Sequence, residues 1–181
     1  MATQPLPHPE YDALGGTAPL MRIVATTEAQ REILLACRRD TETSLVCNKS
    51  AQLRIQGPVD FSALRCAVQA LIDRHDALRA PFGKEGKEMR IADWLSTGLF
   101  IHDLSALASD ERDASLRHHI RAEAVQKFDL ENGPMLRLQI LVLAEDDAML
   151  VLTAHHLVCD GWSFEQVVRH FKEAVANFTH G

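Results

Sequence analysis

The sequence predicts a mixed α/β domain of the α+β kind, in which helices pack on a largely antiparallel sheet. Two observations lead to this fold class. Apolar residues recur at helical spacing over residues 61–72, and a β-rich hairpin occupies residues 135–154. The hairpin leads into another helical pattern near the end of the chain. The 181 residues correspond to one domain of ordinary size.

The first predicted helix follows Thr27, which stands as an N-cap at the start of TEAQREILLACRR, residues 27–39. The next segment, SAQLRIQ at 50–56, alternates polar and apolar residues as a strand does. Residues 1–22 are rich in Pro and Gly and lack the ordered regions of a signal peptide. We therefore expect a leader or linker over residues 1–22 and a folded lobe over residues 23–181.

The best-defined helix begins after Asp60, an N-cap residue that follows a Gly-Pro turn. One buried stripe is formed by Phe61, Leu64, Val68, Leu71 and Ile72. A short strand is expected within KEMRIADW, residues 87–94. The pattern up to this point is helix, strand, helix, strand.

A further helix is indicated by Leu116, Ile120 and Ala124, which recur at i+4 spacing. His118 points away from this stripe and His119 lies at its edge. No Asp-Gly follows this His-His pair. We interpret the pair as a solvated helix surface.

The hairpin consists of two β-rich runs, residues 135–143 and 149–154, separated by the polar AEDD. The runs carry little charge, so both strands should lie inside a sheet. A final helix with Ser163 as its cap is predicted from the stripe Val167, Phe171, Val175 and Phe178. The segment HHLVCDGWS, residues 155–163, is therefore a strand-to-helix junction.

Composition excludes some classes of partner. A formal net charge of −6 disfavours nucleic acid, whose phosphates require a basic face. No apolar run approaches the roughly 18 residues of a membrane span. Free thiols are expected at the four widely spaced cysteines, Cys37, Cys47, Cys66 and Cys159. These features favour a cytoplasmic protein with small-molecule or protein partners, no nucleic acid and no membrane.

The junction places two histidines side by side at a strand end. Neighbouring strand residues face opposite sides, so one of His155 and His156 should be functional or exposed and the other packed. A neutral imidazole acts as a general base when another group fixes its tautomer. Asp160 is either that group or a lock for the loop, and Gly161 permits a tight turn or close approach of a substrate. From these residues alone, a structural turn and an acid-base site both remain open.

Two other chemistries at the junction are weaker. His155, His156 and Asp160 offer three metal ligands, but adjacent strand histidines are poorly placed around one tetrahedral centre, and we expect no metal. Cys159 lies near a histidine, as a catalytic thiol would. A neighbouring carboxylate raises a thiol pKa, so we interpret Cys159 as a small packing residue.

Four segments resemble, in order, the motifs of condensation domains from nonribosomal peptide synthetases or hybrid polyketide/peptide synthases. HHLVCDG resembles their HHxxxDG active-site motif, and Trp162 and Ser163 continue it in the usual way. TEAQREI resembles the opening motif, RHDALR at 74–79 matches RHxxLR, and FDLENGPMLR at 128–137 matches FDLxxGPxLR. TEAQREI with HHLVCDGWS is most similar to members that follow polyketide modules or act on modified residues.

The resemblance implies a fold of two lobes, each similar to chloramphenicol acetyltransferase, set in a V around a central tunnel. It covers the chain from residue 26 onward and corresponds to the N-terminal lobe. The C-terminal lobe is expected to be absent, as in an excised fragment.

The resemblance also implies an activity and roles at the junction. The full domain joins a donor acyl or peptidyl thioester to an acceptor aminoacyl thioester, both carried on phosphopantetheine arms of carrier proteins, and no cofactor is bound directly. His156 is implied as the catalytic residue, either removing a proton from the acceptor amine or positioning it. Asp160 is implied to be structural, paired with Arg74, while His155 supports His156 from the packed side.

Other positions that match the family motifs are not expected to take part in the chemistry. Arg79 and Arg137 match their motifs and are interpreted as fold or surface residues. Leu34 stands where the family often has Trp, a difference that concerns packing on the substrate side.

Two alternatives remain beside an inactive isolated lobe. The first is a trimeric acyltransferase similar to chloramphenicol acetyltransferase that uses acyl-CoA, with its site between subunits; the chain length favours it. RHDALR and FDLENGPMLR favour the condensation domain instead. The second alternative is a module that binds carrier proteins without catalysis.

Overall fold

The computed structural model describes residues 20–93 and 99–179, and it confirms the α+β class. Residues 1–19 of the leader expected over residues 1–22 lie outside the described part, as do Trp94 and the side chain of Phe178, and residues 20–22 belong to the first strand. The helices are α1 (Glu28–Arg39), α2 (Thr41–Val46), α3 (Phe61–Arg74), α4 (Ser109–Ala124) and α5 (Gly161–Thr179), with a 3-10 turn at Asp76–Arg79. The strands are β1 (Leu20–Ala25), β2 (Asn48–Gln56), β3 (Glu88–Ala92), β4 (Leu99–Asp103), β5 (Leu136–Ala144) and β6 (Asp147–His155).

The main sheet has four strands in the order β2-β6-β5-β4. The predicted hairpin forms β5 and β6, and β2 pairs antiparallel with the other edge of β6. β4 pairs parallel to β5, and α4 provides the crossover that parallel neighbours require. A separate two-stranded antiparallel sheet joins β1 to β3.

Helices cover both faces of the main sheet. On one face α3 and α5 pack against alternate strand residues, and Val68 and Phe171 share an apolar cluster with Leu150 and Leu152. On the other face Leu116 and Ile120 of α4 pack against a cluster that contains Val151. Successive residues of β6 therefore enter different cores, as the pleat of a strand requires.

A third apolar cluster lies under α1, at the end of the sheet where β6 finishes. It comprises the buried residues Leu34, Cys37, Phe82, Phe128, Leu130, Met135 and Leu157. Leu34, which stands where the resemblance leads us to expect Trp, is 1% exposed. The packing around α1 thus fixes the surroundings of the strand-to-helix junction.

The local signals at helix starts are confirmed. Asp60 Oδ1 accepts hydrogen bonds from the backbone N–H groups of Ser62 and Ala63. Thr27 and Gln30 form a reciprocal capping box at α1. Each signal lies within three residues of its partner, so it does not depend on the distant fold.

The predicted stripe of α4 is wrong at one position. Leu116 and Ile120 are partly buried as expected, but Ala124 is exposed and its neighbour Glu123 is 8% exposed. Glu123 is buried because its carboxylate pairs with Arg137 of β5 at 2.6 Å. No helix within the described ranges combines the length and apolar character that a membrane span requires.

Candidate active site

The junction between β6 and α5 separates the two histidines as the strand geometry predicts. His155 is the last residue of β6, opposite Asn48 of β2, and is fully buried. His156 is the first residue after the strand and is partly buried. The expectation that one histidine packs and the other stays accessible is confirmed.

His155 is held in one tautomer by the backbone. The N–H of Leu157 donates to its Nδ1 at 3.2 Å, which assigns the imidazole proton to Nε2. The Phe128 ring meets the imidazole edge-on, with centroids 5.7 Å apart. Burial, with smaller contributions from His156 and Arg137, lowers the pKa of His155 to about 4. His155 is therefore a neutral packing residue near pH 7.

The depressed pKa of His155 predicts acid sensitivity of the fold. An unfolded imidazole titrates at its ordinary pKa of 6.5, whereas the folded one stays neutral down to about 4. Between these values only the unfolded chain binds the proton, so stability falls as the pH falls. We expect the free energy of unfolding to be about 3 kcal/mol greater above pH 6.5 than near pH 4 because of His155.

Urea unfolding at about pH 7 and about pH 4 measures this contribution when wild type is compared with His155→Gln. The glutamine does not titrate, so the pH dependence of the variant should be weaker by that amount. Other histidines titrate in both proteins and cancel in the difference. Equal pH dependence in the two proteins would contradict the assignment.

His156 is anchored by its backbone and by one ring nitrogen. Its backbone N–H donates to the carbonyl of Cys47 at 2.8 Å. Its Nδ1 lies 3.1 Å from the carbonyl oxygen of Cys159. A carbonyl only accepts, so Nδ1 carries the proton and Nε2 keeps its lone pair. Among the described residues no protein group hydrogen-bonds to Nε2, and this tautomer can act as a base.

The group that fixes the His156 tautomer is therefore the Cys159 carbonyl. The sequence prediction considered Asp160 for this role because a carboxylate is visible in the motif. A backbone carbonyl has no signature in side-chain identity. The only available signal is the three-residue spacing between His156 and Cys159, which suits a turn.

Asp160 instead caps α5. Its Oδ1 accepts from the backbone N–H of Ser163 at 2.7 Å, and its carbonyl accepts from the N–H of Phe164 at 2.9 Å. Hydrogen bonds from Ser163 lower the pKa of the Asp160 carboxyl. The predicted cap at Ser163 is wrong, because the helix begins at Gly161 and Ser163 lies within its first turn. A side-chain cap of this kind contributes about 1 kcal/mol.

The implied pair between Asp160 and Arg74 does not form. Arg74 ends α3 and is exposed, and among the described residues it makes no ion pair with Asp160. The next residue, His75, contacts His170 across 2.9 Å. His170 is ten residues beyond Asp160, about 15 Å along the axis of α5. That length of helix separates the two charges.

Gly161 lies in an open position at the start of α5. A Cβ built there would meet no atom within 4 Å. Gly161 is not among the described glycines with positive φ, so its backbone conformation does not require glycine. A turn at this position therefore does not depend on glycine, and room for a close approach remains. The adjacent Trp162 is 71% exposed.

Cys159 is a packing residue, as predicted. It is buried in the main core, and burial followed by the charge of Asp160 raises its thiol pKa to about 11. A neutral buried thiol is a poor nucleophile.

Arg79 and Arg137 are fold residues, which confirms their interpretation. Arg79 is 5% exposed, donates to the carbonyls of Ile72 and Ala92, and pairs with Asp76. Arg137 pairs with Glu123 and lies 3.7 Å above the centre of the Phe128 ring. Because Phe128 contacts His155, the Arg137 pair supports the packed side of the site.

The structure also brings together ligand atoms that the sequence does not place together. Cys37, Cys47 and His155 have donor atoms within 4.8 Å of one another. The set considered from the sequence, His155, His156 and Asp160, is not among the described groups of this kind. All four cysteines are free thiols.

Comparison with known proteins shows the family to which the chain belongs. A family model described as "Condensation domain" matches residues 21–181. The chain is 46% identical to phosphinothricin tripeptide synthetase PhsC of Streptomyces viridochromogenes over 120 residues, 65% of this chain and 11% of that protein. It is 33% identical to chondramide synthase cmdD of Chondromyces crocatus over 178 residues, 97% of this chain and 4% of that protein.

Solved structures show the same similarity. The starter condensation domain of rhizomide synthetase RzmA superposes with a TM-score of 0.78 at 26% identity, over 88% of this chain and 38% of that chain. A variant of that domain has been solved in complex with C8-CoA and Leu-SNAC, with a TM-score of 0.74 at 25% identity, over 84% of this chain and 35% of that chain. The chain thus spans little more than a third of these structures.

Proposed function

The chain belongs to the condensation-domain family of nonribosomal peptide synthetases, and we propose that residues 23–181 are the N-terminal lobe of an amide-forming condensation domain. In this proposal a donor acyl or peptidyl thioester is joined to an acceptor aminoacyl thioester. The observation that carries it is the tautomer of His156, whose Nδ1 is bound to the Cys159 carbonyl while Nε2 is free to accept a proton.

The proposed step uses this lone pair. The acceptor nitrogen attacks the donor thioester carbon, and Nε2 of His156 takes a proton from that nitrogen. The tetrahedral intermediate then collapses, the C–S bond breaks, and Nε2 returns the proton to the departing sulfur, so the donor arm leaves as a thiol and the amide forms. The Cys159 carbonyl keeps its hydrogen bond to Nδ1 and stabilises the positive ring. A positioned base of this kind contributes about 10²- to 10⁴-fold in rate.

The remaining site residues hold the base and leave space beside it. His155 packs behind the junction as a neutral imidazole, and Asp160 fixes the start of α5 through Ser163. The open face at Gly161 gives room for a substrate arm to pass close to the backbone. The substrates arrive on phosphopantetheine arms, so the lobe itself binds no cofactor.

Condensation domains work with carrier-protein domains and neighbouring modules of their synthetases. We propose that a donor and an acceptor carrier protein serve this site and that a C-terminal lobe supplies the second wall of the tunnel. The 38% share of the RzmA chain and the exposure of Trp162 beside the motif support this arrangement. The isolated lobe is then inactive.

The test incubates donor-loaded and acceptor-loaded carrier proteins with the 181-residue chain or with a full protein that contains both lobes. Mass spectrometry of the acceptor arm should detect the amide product when the two-lobed protein is present and no product when only the 181-residue chain is present. Product formed by a trimer of this chain from acyl-CoA and a small amine or alcohol would support the acyltransferase alternative. Carrier binding by the two-lobed protein without product would support the binding module. Either result would contradict the proposal.

A further inference from the structure

Two thiols meet beside His155 on the packed side of the site. Cys37 lies in the last turn of α1, and Cys47 is the residue between α2 and β2. Their Sγ atoms are 3.6 Å apart, and Cys37 Sγ lies 4.0 Å from Nε2 of His155. Cys37 is buried and Cys47 is partly exposed. Two thiols and an imidazole at these distances suit either a metal ion or a thiol–disulfide pair.

The hydrogen bond to His155 argues against the metal ion. A metal at this cluster needs the lone pair of Nε2, and a metal-bound histidine donates its other N–H to an acceptor. Here the other nitrogen, Nδ1, faces the N–H of Leu157, which is a donor. Nε2 therefore carries the proton and is not available as a ligand. No fourth His, Cys, Asp or Glu joins this group within the described residues.

We propose that Cys37 and Cys47 form a thiol–disulfide site, which a small-molecule disulfide such as oxidised glutathione converts to a Cys37–Cys47 disulfide. The two sulfur atoms already lie in contact, with no side chain to displace between them. Closing the bond brings the Sγ atoms to about 2.05 Å, a movement of roughly 1.5 Å. Cys47 is the C-cap of a helix of six residues, so this movement falls on a short segment.

The exchange proceeds in two steps. The thiolate of the more accessible Cys47 attacks one sulfur of the small disulfide, and a mixed disulfide forms as one small thiol leaves. Cys37 then loses its proton to solvent, and its thiolate attacks the Cys47 sulfur and releases the second small thiol. Two electrons pass from the protein thiols to the small disulfide, which is reduced to two thiols.

The second step should be the slower one. Burial, together with the hydrogen bond and charge of Cys47, raises the pKa of the Cys37 thiol to about 12. In the mixed disulfide Cys47 has no thiol left, so its hydrogen bond and charge are gone and burial alone keeps the pKa of Cys37 raised. Only the thiolate attacks, so ring closure should accelerate as the pH rises.

The disulfide would act on the backbone of the candidate catalytic residue. The carbonyl of Cys47 accepts the hydrogen bond from the His156 N–H at 2.8 Å. A shift of Cys47 toward Cys37 therefore changes the anchor of His156. Any effect on condensation rests on the proposed function, whereas formation of the disulfide does not.

The test treats the 181-residue chain with oxidised glutathione at about pH 8, alkylates the remaining thiols, and maps the peptides without reduction. We expect a peptide pair joined through Cys37 and Cys47, which dithiothreitol separates. Cys66→Ser, which removes an exposed thiol, should keep this pair. Cys47→Ser should lose it and leave Cys37 open to alkylation after denaturation.

Wild-type protein alone is sufficient to overturn the proposal. If Cys37 and Cys47 both stay free during the treatment and are then alkylated, or if they carry only glutathione, the pair is not a disulfide site. A second arm adds Zn²⁺ alone: protection of both thiols by one equivalent of zinc would restore the metal interpretation. The readout is the covalent state of the thiols, so its failure is distinct from failure of amide formation.

Discussion

Replacement of His156 by alanine in the two-lobed protein should lower the rate of amide formation by about 10²- to 10⁴-fold, the usual contribution of a positioned base. The variant loses the Nε2 lone pair that the hydrogen bond to the Cys159 carbonyl makes available. The backbone bond from residue 156 to the Cys47 carbonyl does not involve the side chain, so the fold should be retained. Single-turnover product formation with loaded carrier proteins measures the change.

Two variants control this experiment. His118→Ala removes an exposed histidine of the other His-His pair and should leave the rate unchanged. His156→Asn keeps a donor able to reach the Cys159 carbonyl but has no lone pair of suitable basicity, so it should be as slow as alanine if His156 is a base. A rate near wild type for His156→Ala would contradict the assignment of His156 as the catalytic residue. A fast His156→Asn variant would instead indicate that His156 positions the amine.

Replacement of Glu123 by alanine should cost about 3–5 kcal/mol of unfolding free energy, because it leaves the Arg137 charge buried without its partner. The two side chains are only 9% and 10% exposed and lie 2.6 Å apart. Gln139 also donates to the Glu123 carboxylate, at 3.3 Å. Urea unfolding of the 181-residue chain measures the loss.

The chain offers a matched pair for comparison. Arg38 and Glu131 are joined at 3.2 Å, but their side chains are 28% and 42% exposed. Glu131→Ala should therefore cost less than about 1 kcal/mol. Similar losses of unfolding free energy for Glu123→Ala and Glu131→Ala would contradict the expectation that burial makes the Arg137 pair more costly to break.

Features set by neighbours along the chain could be predicted from the sequence. The caps at Thr27 and Asp60 and the apolar stripe of α3 depend on spacings of three or four residues. The separation of His155 and His156 follows from strand alternation. Each of these rests on local geometry, which side-chain identity reveals.

Features set by distant contacts could not be predicted. The pairing of β1 with β3 joins residues more than sixty positions apart, and β4 is a short strand placed by its parallel contact with β5. The approach of Cys37 to Cys47 depends on how α1 and α2 fold over the sheet. The expected contact between Arg74 and Asp160 is absent from the described residues for the same reason. A resemblance assigns roles to matched residues, but it does not give the distance between them.

The position of β6 in the middle of the sheet has a consequence for motion. His155 ends a strand that is hydrogen-bonded on both sides and packed on both faces, where amide hydrogens exchange only through the largest openings of a protein. The backbone position of His155 should therefore be lost only when most of the domain opens. Leu157 and Cys159 after the strand are also buried, so we expect the movement that admits or releases a substrate at the exposed start of α5, at Gly161 and Trp162. Geometry at the base is thus tied to the global stability of the lobe, and distant core substitutions that weaken the fold will also raise the time the base spends out of place.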